Sequence, residues 1–295
     1  MASLKNTLTG TGVALVTPFT KKGDIDFDAL HKMIDFVIDG KVEYIVVLGT
    51  TGEAPTLDTP EKTDVVKYTY DVVKKRVPVV VGIGGNNTDK LIHDLETFPL
   101  DDAIAVLSTS PYYSKPSQEG LYQHYKTLAN ASPKPILLYN VPGRTSKNVD
   151  ADTVIRLANE VENIAGIKEA GGDFAQCIKV LRDAPKDFLV VSGDDALAMP
   201  QIACGMQGVI SVAANAFPKD FSDMVRASLK FDFKKAKAIN DKLVGAYELM
   251  FAENNPAGVK DFLEEMGLIK NYLRLPLVPL SDKYQRLVKT YLQRQ

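Results

Sequence analysis

The sequence predicts an α/β fold: a closed barrel of eight parallel strands, each followed by a helix, with a helical annex at its C-terminal end. Three observations point to it. Short apolar, β-branched runs recur through the first 213 residues, their starts 20 to 33 residues apart. Helical periodicity fills the gaps between them. The runs are also nearly continuously hydrophobic instead of alternating, as expected of parallel strands covered by helices outside and filled by side chains inside. Eight strand-then-helix units match a (β/α)8 barrel of the TIM type, which takes about 250 residues. An open doubly wound sheet is the second arrangement the same pattern allows.

The eight expected strands are 12–16, 44–49, 77–83, 103–108, 135–140, 164–168, 188–193 and 208–213. Amphipathic stretches at 28–38, 60–75, 118–131 and 152–159 supply helices between them. After the eighth run the β signal stops, and 217–229, 233–251 and 257–266 all read as helices. Pro276 and Pro279 break the pattern before a last helix that Ser281 can cap. This divides the chain into a barrel over residues 1–230 and an annex over 231–295, with no low-complexity linker between them.

Composition narrows the function. Lys plus Arg number 35 against 37 Asp plus Glu, for a net charge of −2, so no basic surplus suits a nucleic acid. The hydrophobic share of 45% is that of an ordinary globular protein. Two cysteines, Cys177 and Cys204, are too few for a disulfide framework, which favours a reducing, cytoplasmic setting. The N-terminal apolar stretch is broken by Gly12 and Pro18 and does not read as a leader. No apolar run approaches the roughly 20 residues of a membrane span.

Active sites of such barrels form at the C-terminal ends of the strands. Lys168 closes the sixth run, and strand alternation puts it on the same side as Ile164 and Gly166, pointing into the barrel mouth. Partial desolvation there would lower its pKa from about 10.4 towards 7 or 8, freeing an amine to attack a carbonyl and form a Schiff base. A Lys168 paired with Glu169 or Asp194 would do no such chemistry, and this residue alone leaves the two readings even. Tyr139 ends the fifth run, where its phenol can shuttle protons near Lys168; a satisfied core tyrosine would look the same. Thr50, with Tyr113, offers hydroxyls for a relay to solvent. The turn Thr50-Thr51-Gly52 has amides and hydroxyls for a small carboxylate, although such turns also merely cap strands. Arg144 offers a bidentate fork for a second carboxylate.

Other chemistries find little support. The three histidines, His31, His93 and His124, fall in helical stretches away from strand ends, so no catalytic metal is expected. Gly82 to Asn87 lacks both the last glycine of a dinucleotide loop and the lysine of a P-loop. Asp194-Asp195 reads as helix capping.

Gly49-Thr50-Thr51-Gly52-Glu53, Pro111-Tyr112-Tyr113, Tyr139-Asn140-Val141-Pro142-Gly143-Arg144-Thr145, Gly166-Ile167-Lys168-Glu169, Ser192-Gly193-Asp194-Asp195 and Gly208-Val209-Ile210-Ser211 occur in characteristic order and spacing. In these motifs the chain, from about Gly12 to Leu287, resembles the pyruvate-dependent class I aldolase superfamily, and within it the dihydrodipicolinate synthase family. The resemblance implies that Lys168 forms an imine with pyruvate and that Tyr139, Thr50 and Tyr113 make a proton relay, Tyr113 reaching a neighbouring subunit's site in a dimer or tetramer. It implies that Thr51 and the Thr50 to Gly52 backbone hold the pyruvate carboxylate, that Arg144 holds aspartate semialdehyde, and that Gly193 and Ile210 line the pocket. The implied reaction feeds lysine and diaminopimelate synthesis without metal or redox cofactor. Sialic-acid and keto-deoxy-sugar lyases share the Lys and Tyr and compete for the assignment; a non-catalytic barrel that binds a small acid is the reading from another class. Lysine-inhibited relatives bind the inhibitor at positions matching Pro55, Thr59, Lys62, Asn86, Lys90 and Tyr112. Here Thr59 and Lys62 replace histidines, and Lys90 sets a cation where a carboxylate would face the inhibitor's amine, so tight lysine inhibition is not expected.

Overall fold

The structure, a computed structural model, describes residues 4–294; Met1 to Ser3 and Gln295, the extreme ends of the segments read above, lie outside it. Eight parallel strands close into a barrel in chain order. They are β1 (Gly10–Ala14), β2 (Tyr44–Val47), β3 (Val79–Gly82), β4 (Ala103–Thr109), β5 (Ile136–Asn140), β6 (Ile164–Glu169), β7 (Leu189–Ser192) and β8 (Gly208–Ser211). Helices follow each in turn: α1 (Phe27–Asp39), α2 (Thr59–Val73), α3 (Thr88–Thr97), α4 (Gln118–Ala131), α5 (Ala151–Glu160), α6 (Phe174–Asp183), α7 (Ala198–Ala203) and α8 (Pro218–Leu229). The barrel, and not the open sheet, is the fold.

Local chemistry starts the helices where the loops demand it. Asp26, Asn87, Ser117 and Asp173 each accept a backbone N–H from the first turn of the helix they precede. At α2 the cap is reciprocal: the Asp58 carboxylate accepts from the Glu61 amide while the Glu61 carboxylate accepts from that of Asp58. The closing seam between β1 and β8 depends on glycine. Gly10 pairs with Gly208 at φ +119° and +151°, and a Cβ on Gly208 would fall 1.9 Å from the Gly10 carbonyl oxygen.

Alternation splits the core in two. Val13, Ile45, Val81, Val106, Leu138, Ile167 and Val190 face the helices. Ala14, Val46, Val80, Leu107, Leu137, Val191 and Ile210 fill the barrel. One expectation fails here. Ile164 belongs to the outer layer, because the β5–β6 register jumps from Ile136↔Ile164 to Leu137↔Gly166 and leaves Ala165 as an extra residue. Beyond that bulge Gly166 and Lys168 do point inward.

Three further helices, α9 (Phe233–Phe251), α10 (Ala257–Glu265) and α11 (Asp282–Leu292), pack together against α8 and the end of β8. Phe217, just before α8, meets Phe262 and Tyr291 edge-on at 5.7 and 6.2 Å between ring centroids. Ser281 takes the N-cap of α11, though its hydroxyl makes no capping bond. Among the described residues no helix is long and apolar enough to cross a membrane.

Candidate active site

The C-terminal ends of the strands open into a cavity of ≈ 460 Å³. Lys168 lies on its wall, 6% exposed, with Nζ 4.2 Å from the centroid of the Tyr139 ring. The two residues are direct register partners across β5 and β6, so the barrel's hydrogen bonding itself holds amine beside phenol. Lys168 forms no ion pair within 4 Å among the described residues. The two carboxylates that could have paired with it, Glu169 and Asp194, are engaged elsewhere. Glu169 is buried and accepts from Asn140 Nδ2 (2.9 and 3.0 Å), Gln176 Nε2 (3.0 Å) and the Gly171 amide (2.6 Å). Burial still raises its pKa above the usual carboxylate range. Asp194 accepts from the amides of Ala196 and Leu197, the turn that leads into α7.

Gly49, Thr50 and Thr51 form the facing wall, on a 3-10 turn that follows β2. Two non-glycine residues in the left-handed region frame it, Leu48 at φ +59° and Glu53 at φ +52°. Such strained backbone persists only where its surroundings hold it. Here Glu53 Oε1 meets Lys260 Nζ of α10 at 2.5 Å, both side chains fully buried, and Glu53 Oε2 accepts from the Arg274 amide at 3.1 Å. Burial pulls the Lys260 ammonium down to about 8 even with this partner. The amides of Thr50 and Thr51 find no acceptor among the described residues. Gly52 sits behind the turn instead of on the cavity wall: its amide donates to the Gly49 carbonyl, and its own carbonyl accepts from Thr17.

Arg144 stands at the rim on the short helical turn Pro142–Thr145, its side chain exposed and without an acceptor among the described residues. Gly193 and Ile210 line the cavity from the ends of β7 and β8. Tyr113 does not line it; it projects from the loop after β4, 90% exposed, at φ +71°. Thr59, Lys62, Asn86 and Lys90 lie on or before α2 and α3, where burial and the neighbouring Lys90 charge lower the pKa of Lys62.

A model of the dihydrodipicolinate synthetase family matches residues 7–295. The chain belongs to that family. The 4-hydroxy-tetrahydrodipicolinate synthase of Flavobacterium psychrophilum is 50% identical over 273 residues, 92% of this chain and 93% of that one. Among solved structures, dihydrodipicolinate synthase from Thermotoga maritima superposes with a TM-score of 0.95 at 38% identity, covering 98% of each chain. The chloride-inhibited enzyme of Acinetobacter baumannii, solved with pyruvate, gives 0.94 at 41% identity over 97% of this chain and 98% of that one.

Within this dihydrodipicolinate synthetase family member, sequence reasoning missed the annex's share of the site. Phe251 at the end of α9, with Glu253, Asn254 and Asn255 between α9 and α10, closes one side of the cavity, and Asn255 Nδ2 donates to Thr51 Oγ1 at 3.0 Å. The signal was a polar Glu-Asn-Asn-Pro break between two apolar helices. It missed Asn140 too, whose amide reaches both Glu169 and Asn148 and so ties β5, β6 and the loop before α5 together. Asp195 is not the helix cap that the sequence pattern suggests. Its carboxylate instead accepts from the amides of Val212 and Ala213, fixing the end of β8.

Proposed function

We propose that this chain condenses pyruvate with L-aspartate 4-semialdehyde to give 4-hydroxy-tetrahydrodipicolinate, the reaction named for its relatives, which commits carbon to lysine and diaminopimelate. What carries the reading is the placement of Lys168: a buried amine on a cavity wall, against a phenol and in no ion pair among the described residues.

The Lys168 amine adds to the keto carbon of pyruvate, and the carbinolamine loses water to give an imine. Tyr139 donates and accepts the protons of these steps. Thr50 lies on the same cavity and extends the relay, while Tyr113, too exposed to serve its own cavity, serves that of a neighbouring copy. The chain therefore works as a homo-oligomer. Loss of a methyl proton turns the imine into an enamine, whose carbon attacks the semialdehyde carbonyl and forms the new C–C bond. The semialdehyde's own amine then adds to the imine carbon, displaces Lys168 and closes the ring, so lysine is regenerated. The free amides of Thr50 and Thr51, with the Thr51 hydroxyl, receive the pyruvate carboxylate; Gly52 contributes by shaping the turn. Arg144 at the rim takes the carboxylate of the semialdehyde. Gly193 and Ile210 shape the pocket between them. The annex over residues 231–295 acts as a second unit that completes this site, and the work is done in the cytoplasm.

Borohydride reduction in the presence of pyruvate tests the reading. A stable mass gain at Lys168 is expected; a protein left unmodified would mean a barrel that merely binds small acids.

A further inference from the structure

The annex reaches the cavity at a point where it controls a hydroxyl. Asn255, 5% exposed between α9 and α10, donates from Nδ2 to Thr51 Oγ1 at 3.0 Å. Thr51 is itself only 2% exposed, so solvent does not compete for its hydroxyl. A hydroxyl carries one proton and two lone pairs, and when one lone pair receives an amide N–H the proton must point elsewhere. For Thr51 the open direction is the cavity its residue lines.

We infer that Asn255 is a positioning residue that makes the Thr51 hydroxyl a fixed donor towards the keto-acid carboxylate. The inference rests on the reading that the Thr50–Thr51 turn receives that carboxylate. The surrounding geometry supports it. Glu53, two residues on, is held by Lys260 and by the Arg274 amide, and Arg274 in turn donates to the Thr56 carbonyl at 2.9 Å. The segment from Thr51 to Thr56 is thus fastened at three points to residues more than 200 positions later in the chain. Neither the backbone nor the hydroxyl is free to turn, and a donor that need not reorganise binds charge best. A barrel lacking this annex contact would keep the same two threonines but leave the hydroxyl to rotate.

A mutant cycle between Asn255→Ala and Thr51→Val tests this, with KM for pyruvate, kcat and melting temperature measured on each purified variant. Asn255→Ala is expected to raise the pyruvate KM about tenfold, the worth of one hydrogen bond to a charged group, with kcat within about twofold. Thr51→Val is expected to raise it similarly, and adding Asn255→Ala to Thr51→Val to change nothing more, because Asn255 acts only through the hydroxyl. Asn255→Asp keeps the size of the side chain if the alanine variant does not fold; being an acceptor only, it turns the hydroxyl away and raises the KM at least as much. Independent, multiplying effects of the two substitutions, or an unchanged KM in an Asn255 variant, would overturn the inference while leaving the carboxylate reading intact. An unchanged KM in Thr51→Val would sink that reading and the inference with it.

Discussion

Gly193 is the space into which Lys168 extends. A Cβ built on Gly193 would stand 3.0 Å from Lys168 Cε and 2.6 Å from the Cβ of Ala170. The absent side chain on β7's following loop therefore sets the rotamer of a lysine on β6. Gly193→Ala is expected to keep the fold but displace the amine, since overpacking a tight site typically costs about 1–3 kcal/mol. Placed on the reacting group, that corresponds to a fall of about 10- to 100-fold in kcat/KM. The rate of borohydride trapping with pyruvate should fall in parallel; an unchanged rate would show that the lysine does not need this space.

Arg144 is expected to act on the second substrate alone. Its guanidinium has no acceptor among the described residues, and it lines the cavity from a turn separate from the strands that carry Lys168 and Tyr139. Arg144→Ala should therefore trap pyruvate as well as the wild type. Its KM for the semialdehyde should rise by about 100-fold, the loss of a charge-assisted bidentate contact. Equal damage to both substrates would instead place Arg144 in general support of the site.

Much of this was visible in the chain itself, for a physical reason. Parallel strands under helices must be apolar on both faces, so eight such runs stand out, and Lys168 stands out as a charge at the end of one of them. Alternation held wherever the register was regular and failed at Ile164, since a one-residue bulge leaves no mark in composition. The annex's role was hidden for a different reason. Asn255 and Lys260 meet Thr51 and Glu53 across 204 and 207 residues, and no local sequence pattern announces a partner so distant. The Tyr113 hydroxyl stands out at a strand end, but its reach to a neighbouring copy is implied by resemblance alone, and its own fold leaves it exposed.

Asp195 gives the protein a pH signature. Its carboxyl is buried, and that burial raises its pKa from 3.8 to about 6 despite amides donated by Val212 and Ala213. Between those two values the folded protein holds a proton that the unfolded chain has released, so stability falls as pH rises through the window. The contribution is up to about 3 kcal/mol. Asn in this position can accept both amide bonds and has nothing to titrate. Chemical denaturation from pH 4 to pH 6.5 should show a shallower decline for Asp195→Asn than for wild type. Identical slopes would mean that another group sets the dependence.

Lys260 and Glu53 make a stronger claim, because their ion pair is fully buried and joins the annex to the turn on which Thr50 and Thr51 sit. Removing one partner strands the other charge without water. Lys260→Met and Glu53→Gln should each destabilise by about 3–5 kcal/mol in urea unfolding. Removing both charges together leaves no stranded ion, and such replacements in other proteins are commonly neutral or better. The double variant should therefore unfold closer to wild type than either single variant does. The Glu53 oxygen that meets the Arg274 amide complicates this in a useful way: Gln in that place still offers a carbonyl oxygen to Arg274, so the backbone bond survives while the charge is lost. If the double variant proved as unstable as the two single losses added together, the pair would be two independent packing contacts, and the annex would not be fastening the turn through charge at all.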